Sequence, residues 1–247
     1  SLEDYYSLQA VFAGVDKADR SFDIEPETSI KRSELLAEQL DFKKQINDPK
    51  IAKEASIWAT KLEQNLPIWH PLNLQEILSS AETPHTVLPD NSILFKGTAP
   101  EKDTYIITGT NELDKLTAVQ IGVLTDPSLP MNGPGRAPNG NLHLSEIEVE
   151  IDAQPIKIAR ASADFNQTEW EINKAIDGKK ETAWGIHPHE GKPHQSVFIF
   201  KEPIPISQNT SVKIKLEQVH GGSHLIGRLS IGLTGSKFPD AELKIPD

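Results

Sequence analysis

The run VQIGVLTDPSLPMNGPGRAPNGNLHLSEIEVEI, Val119 to Ile151, decides how this chain is read. At its start Val119, Ile121 and Val123 alternate with polar or small residues. At its end Ile147, Val149 and Ile151 alternate with Glu146, Glu148 and Glu150. That period of two belongs to strands with one face buried and one in water. Four prolines and three glycines fall between Thr125 and Asn141, so the two strands are joined by a long loop. Long loops inside compact domains are mostly functional or disordered. This one carries Asp126, Arg136, Asn139, Asn141 and Glu146, side chains suited to a polar ligand. Each also has a plain structural use. The asparagines serve turns, Arg136 fixes the loop through an ion pair with Asp126, and the loop as a whole serves as a rigid cover. Leu142 and Leu144 have the opposite parity from Ile147, Val149 and Ile151. A strand changes faces only with an extra residue, so a bulge or kink is expected at Ser145-Glu146, where it re-aims Glu146.

Working outward, strand patterns recur at 86–89, 92–96, 104–109, 116–124, 142–151, 155–161, 196–200, 210–218 and 225–234, with turn signals between them. Val212, Ile214 and Leu216 alternate with lysines. Phe198 and Phe200 interleave with Val197 and Ile199, which predicts a strand covered on both faces. Short connections and one-sided burial point to an antiparallel β-sandwich, residues 68–247, in which 68–72 is an extended lead-in and 73–82 contains a helical turn. Residues 1–67 read as helical. Tyr5, Leu8, Phe12 and Val15 recur at helical spacing within 2–20. Thr28 to Ile46 forms a second helix. Asp48 then caps and Pro49 starts a third, which continues through Ile51, Ala55, Trp58, Leu62 and Leu66 to Pro67. The last two make an αα-hairpin with Trp58 packed between them.

The chain has 247 residues, 37% hydrophobic and 25% charged, with a net charge of −11. Acidity on that scale argues against a nucleic-acid backbone as partner and disfavours an anionic membrane surface. With no cysteine there is no disulfide, thiolate nucleophile or Cys-held zinc. No apolar run reaches the roughly 20 residues of a membrane span. No nucleophile elbow and no zincin motif occurs, so the chain is read as non-enzymatic; Asp126 and Glu146 as a glycosidase pair would need support from their separation in space. His187-Pro188-His189-Glu190-Gly191-Lys192-Pro193-His194 reads as a polar loop, with His194 held at the start of a strand. His220-Gly221-Gly222-Ser223-His224 reads as a glycine-rich turn.

The most specific local pattern is Ala175-Ile176-Asp177-Gly178-Lys179-Lys180-Glu181-Thr182-Ala183-Trp184. It resembles the AIDG…T.W signature of discoidin-like (F5/8 type C, galactose-binding-like) modules. The resemblance implies a jelly-roll sandwich with ligands at one end, and a structural calcium at Asp177 and Thr182. No other cofactor is required. The family's acidic ligand near the C-terminus has no counterpart in Leu229–Gly235.

A wider resemblance runs through Tyr5–Val15, Leu88–Leu94, Asp103-Thr104-Tyr105, Asp126–Pro130, Gly133–Arg136, Asn139–Asn141, Leu144–Glu146 and Ile226–Leu229. These stretches resemble the middle region of secreted planctomycete cytochrome-associated proteins carrying DUF1549 and DUF1553 domains. That implies an excised middle piece of a larger extracytoplasmic protein, and Ser1 in place of Met fits the same picture.

Two functions are expected from these readings. The first is a non-catalytic carbohydrate-binding module, with Asp126, Arg136, Asn139, Asn141, Glu146, Trp184 and His194 converging on a polysaccharide or glycan. The second is an interaction module that docks the flanking domains of a parent protein.

Overall fold

The computed structural model describes residues 2–12, 25–46, 48–63, 66–208 and 210–240. The chain divides into two units, Ser1–Thr60 and Lys61–Asp247.

The first unit holds α1 (Leu2–Phe12), α2 (Pro26–Ile46) and all but the last three residues of α3 (Pro49–Glu63). The helix boundaries follow local chemistry. Pro26 occupies the first position of α2, where its missing N–H is no loss, and Lys43 and Lys44 sit at the negative end of the helix dipole. Asp48 caps α3 by accepting the Lys50 N–H at 2.8 Å. Residues 13–20 of the expected first helix lie outside the described residues, and so does the side chain of Leu62. The expected burial of Trp58 is corrected. Trp58 is 51% exposed, and Leu35, Leu36, Leu40 and Phe42 are exposed with it. The apolar residues of α2 gather on no single face, so this helix has no stripe with which to bury its neighbour.

The second unit contains, among the described residues, β1 (His70–Pro71), β2 (Asn73–Ser79), β3 (His85–Val87), β4 (Ile93–Phe95), β5 (Asp103–Thr110), β6 (Lys115–Val123), β7 (His143–Leu144), β8 (Glu146–Ile151), β9 (Gln154–Pro155), β10 (Ile158–Ala163), β11 (Trp184–Gly185), β12 (His194–Pro205), β13 (Val212–Gln218) and β14 (Arg228–Thr234). A seven-stranded sheet runs β10-β12-β6-β14-β4-β3, with β1 also on β14. A five-stranded sheet runs β2-β5-β13-β8-β9, and β7 pairs with β11. Every pairing is antiparallel.

The alternation seen in the sequence becomes the core. On β6, Val119 lies between Phe198 and Leu233. On β13, Ile214 lies between Ile107 and Val149, and Leu216 lies between Tyr105 and Ile147. All of these are buried in one cluster drawn from both sheets, so the unit is a β-sandwich. The lysines of β13 stay outside and meet glutamates across the strand pair, Lys213 opposite Glu150 and Lys215 opposite Glu148. β12 is covered on both faces, since Val197 and Ile199 form a second small cluster with Ala118 and Trp69.

Residues 73–79 are a strand, which corrects the helical turn expected there. A bulge between Leu74 and Glu76 shifts the register against β5. It lets Leu74 and Ile77, three residues apart, pack on the same core, and that spacing imitates a helix. The link between β2 and β5 is fixed by Asp103. Its buried carboxylate accepts from the hydroxyls of Ser79, Ser80 and Thr83 and from the N–H groups of Ala81 and Thr104. Burial pushes the Asp103 carboxyl up, but these donors outweigh it and hold the group below its ordinary value.

Candidate functional site

The loop 124–142 is fastened by its own backbone. Gly135 N–H donates to Gly140 at 2.9 Å, Arg136 N–H to Leu225 at 2.8 Å, and Gly133 accepts from Gly191. A Cβ on Gly135 would stand 1.9 Å from the Asn141 carbonyl oxygen, so the chain closes here only with glycine. Leu129, Ala137 and Leu142 are buried beneath it. The kink expected after the loop is present. β7 ends at Leu144 and pairs with β11, while β8 starts at Glu146 and pairs with β13. Ser145 between them donates its N–H to Glu217.

The seven expected ligand residues do not share one surface. Asp126 accepts from the hydroxyl and N–H of Ser128, which hold its carboxyl below the ordinary value, and Arg228 stands 3.8 Å away. Arg136 is buried and donates to the carbonyls of Lys96 and Gly97, in place of the expected ion pair with Asp126. It lines a cleft with Phe95, Lys96, Ser128 and Leu129. Asn139 is exposed and accepts the Asn141 N–H in a tight turn. Asn141 is buried; it accepts the Ile186 N–H and donates to Gln167. Trp184 is 0% exposed and donates its indole N–H to the Phe165 carbonyl, so its ring belongs to the core and offers no face to a ligand. His194 is buried, with one ring nitrogen 3.2 Å from Asp164 and the other 3.2 Å from the His189 carbonyl.

Glu146, Asp177 and Thr182 do come together. Asp177 accepts the Thr182 hydroxyl at 2.9 Å and the Lys179 N–H at 2.9 Å. Glu146 accepts the same Lys179 N–H at 3.0 Å. Burial, with the Asp177 carboxylate nearby, raises the Glu146 pKa.

What the sequence did not reveal is an imidazole cluster at the β7–β11 end. The His143 ring is buried between Trp170, 4.2 Å away and parallel, and His224, 4.3 Å away and near-parallel. His220 stands edge-on to His143, with their Nδ1 atoms 3.1 Å apart. Burial first, and the neighbouring His224 and His220 second, push His143 down to about 3, so the ring is neutral. Asn141 Nδ2 faces His143 Nε2 at 3.4 Å and leaves that nitrogen as acceptor. The proton therefore sits on Nδ1, directed at His220. His143 lies 77 residues from His220, beyond any local motif. The local signal was the pair His220 and His224 flanking two glycines.

No helix among the described residues is long and apolar enough to cross a membrane. No protein-family model, curated protein or solved structure matches the chain.

Proposed function

We propose that this chain is a non-catalytic binding module that engages another polypeptide through its helices, with the sandwich as a rigid scaffold. One observation carries the reading. Tyr5, Tyr6, Leu36, Leu40, Phe42 and Trp58 are each more than half exposed. Helices of 11 and 15 residues, the lengths of α1 and α3, are marginal in water on propensity alone. Most helical stability in proteins comes from packing an apolar face, so these helices call for a covering surface. Ile51, Ala55 and Trp58 line one side of α3, the arrangement of a helix that lies in a groove. Flanking domains of a larger extracytoplasmic protein are the partner the sequence resemblance favours. The other resemblance, that of Ala175–Trp184 to discoidin-like modules, extends the sandwich to a galactose-binding-like jelly roll, with calcium at Asp177 and Thr182.

Amide hydrogen exchange tests the docking. Residues 26–63 are expected to exchange quickly in the isolated chain and to become protected when the flanking domains are attached. Protection equal to that of the strands in the isolated chain removes the proposal.

A glycan-binding reading is favoured by a different observation, the half-buried Trp170 edge-on to exposed His220. Retention on polysaccharide affinity gels that disappears in Trp170→Ala supports it. No retention on any polysaccharide ends it.

A further inference from the structure

The turn His220-Gly221-Gly222-Ser223-His224 reverses the chain through three successive left-handed residues, with φ of +104° and +63° at the glycines and +57° at Ser223. Glu101 clamps it, accepting the Gly222 N–H on its side chain at 2.8 Å and the Ser223 N–H on its carbonyl at 3.2 Å. Both histidines are thereby returned toward β7, where the His143 N–H donates to the His224 carbonyl at 2.9 Å. One ring nitrogen from each of His143, His220 and His224 lies within 4.8 Å of the others.

We propose that His143, His220 and His224 form a binding site for one divalent transition-metal ion of the zinc, nickel or copper type. Imidazole donors alone select these ions over magnesium or calcium, which take oxygen. Zinc–nitrogen bonds of about 2.0–2.1 Å in a tetrahedron put ligand nitrogens roughly 3.3–3.4 Å apart. The 3.1 Å between the Nδ1 atoms of His143 and His220 is close to that span. His224 donates Nδ1–H to the Gly221 carbonyl at 3.0 Å, which leaves the Nε2 lone pair free and supplies the outer-shell bond that metal-bound histidines usually make. Three protein ligands leave a coordination position for water, and the exposure of His220 gives solvent access to it.

Loading asks for two adjustments. The His224 ring lies near-parallel to that of His143 and tilts so that the two lone pairs converge. The His143 proton moves from Nδ1 to Nε2, where it meets the Asn141 amide nitrogen. A carboxylate at position 141 would accept that proton, in the carboxylate–histidine–metal arrangement.

Calorimetric titration of the full chain with zinc chloride is the test, with strand circular dichroism as the check on folding. The expected result is one zinc per chain. His220→Ala and His224→Ala should each weaken binding on the order of 100-fold or more, since loss of outer-shell partners alone costs about 10–100-fold. His187→Ala and His189→Ala, in the neighbouring loop, should leave affinity unchanged. Asn141→Asp should tighten binding about 10-fold, and cobalt in place of zinc should give the intense visible bands of a four-coordinate ion. Absence of zinc uptake overturns the proposal. So does one-to-one uptake that survives both His220→Ala and His224→Ala, and so does a folded Asn141→Asp that binds zinc no more tightly.

Discussion

Trp58 and Trp184 put the same side chain in two settings. On α3, Trp58 leaves half its surface in water. At the end of the sandwich Trp184 is fully enclosed, with its indole N–H on the Phe165 carbonyl. The helices and the sandwich both carry leucine, isoleucine and aromatic residues, so composition does not separate them. Geometry does. Each strand of the sandwich presents every second residue to a sheet whose neighbours do the same, and the two inner faces close on each other. The described residues of the helical unit show no equivalent closure, because α2 spreads its apolar residues around its circumference. The sandwich is therefore expected to unfold as one cooperative body, and the helices to contribute little to that transition.

The largest effect should come from Phe198→Ala, which removes a fully buried ring on β12 from the core between the sheets. A loss of about 3–5 kcal/mol in urea unfolding is expected. Asp103→Ala strands five donors at once and should cost about 2–4 kcal/mol by the same measurement. Its pH dependence has a definite sign. The folded pKa is lowered, so the stabilisation is present above the unfolded value near 3.9 and is lost as pH falls through the folded one. Acid titrations of wild type and Asp103→Ala should differ in that range. Gly135→Ala drives a methyl onto the Asn141 carbonyl and should cost about 1–3 kcal/mol; an unchanged melting temperature would mean the loop is not the rigid cover described.

Glu146→Gln should act in the opposite direction and by less than about 1 kcal/mol. Here the folded pKa is raised, so stability present at low pH is lost as pH rises from the unfolded value through the folded one. Thermal melts should show Glu146→Gln ahead of wild type at pH 7 and level with it at pH 4. The smallest change belongs to Trp58→Ala in the isolated chain, within about 0.5 kcal/mol. A larger loss there would break the contrast between the two tryptophans.

The strands were legible where side chains alternate strictly, because period two has one structural meaning over several residues. The parity change at Ser145 was legible for the same reason, and it marks the point where the chain changes pairing partners. β2 was not, since its bulge produces a spacing of three between Leu74 and Ile77. Residue types suited to ligands misled at Arg136, Asn141, Trp184 and His194, because a polar group needed to satisfy buried backbone looks the same in sequence as one aimed at a sugar. The histidine cluster was half legible. His220 and His224 share a turn, but His143 joins them only once β7 is folded against that turn.

The irregular strands at the margins of the sheets have a consequence for solubility. Among the described residues, the outermost strands are β3, β10 and the two-residue β1 in one sheet and β2 and β9 in the other. β3 has three residues; β9 has two, one of them Pro155; β2 and β10 are each broken by a register shift. None presents a long, regular row of unpaired amides on which a strand from another chain could build. Contact between copies is then left mainly to side chains, and the growth of one continuous sheet from molecule to molecule is disfavoured at each of these margins.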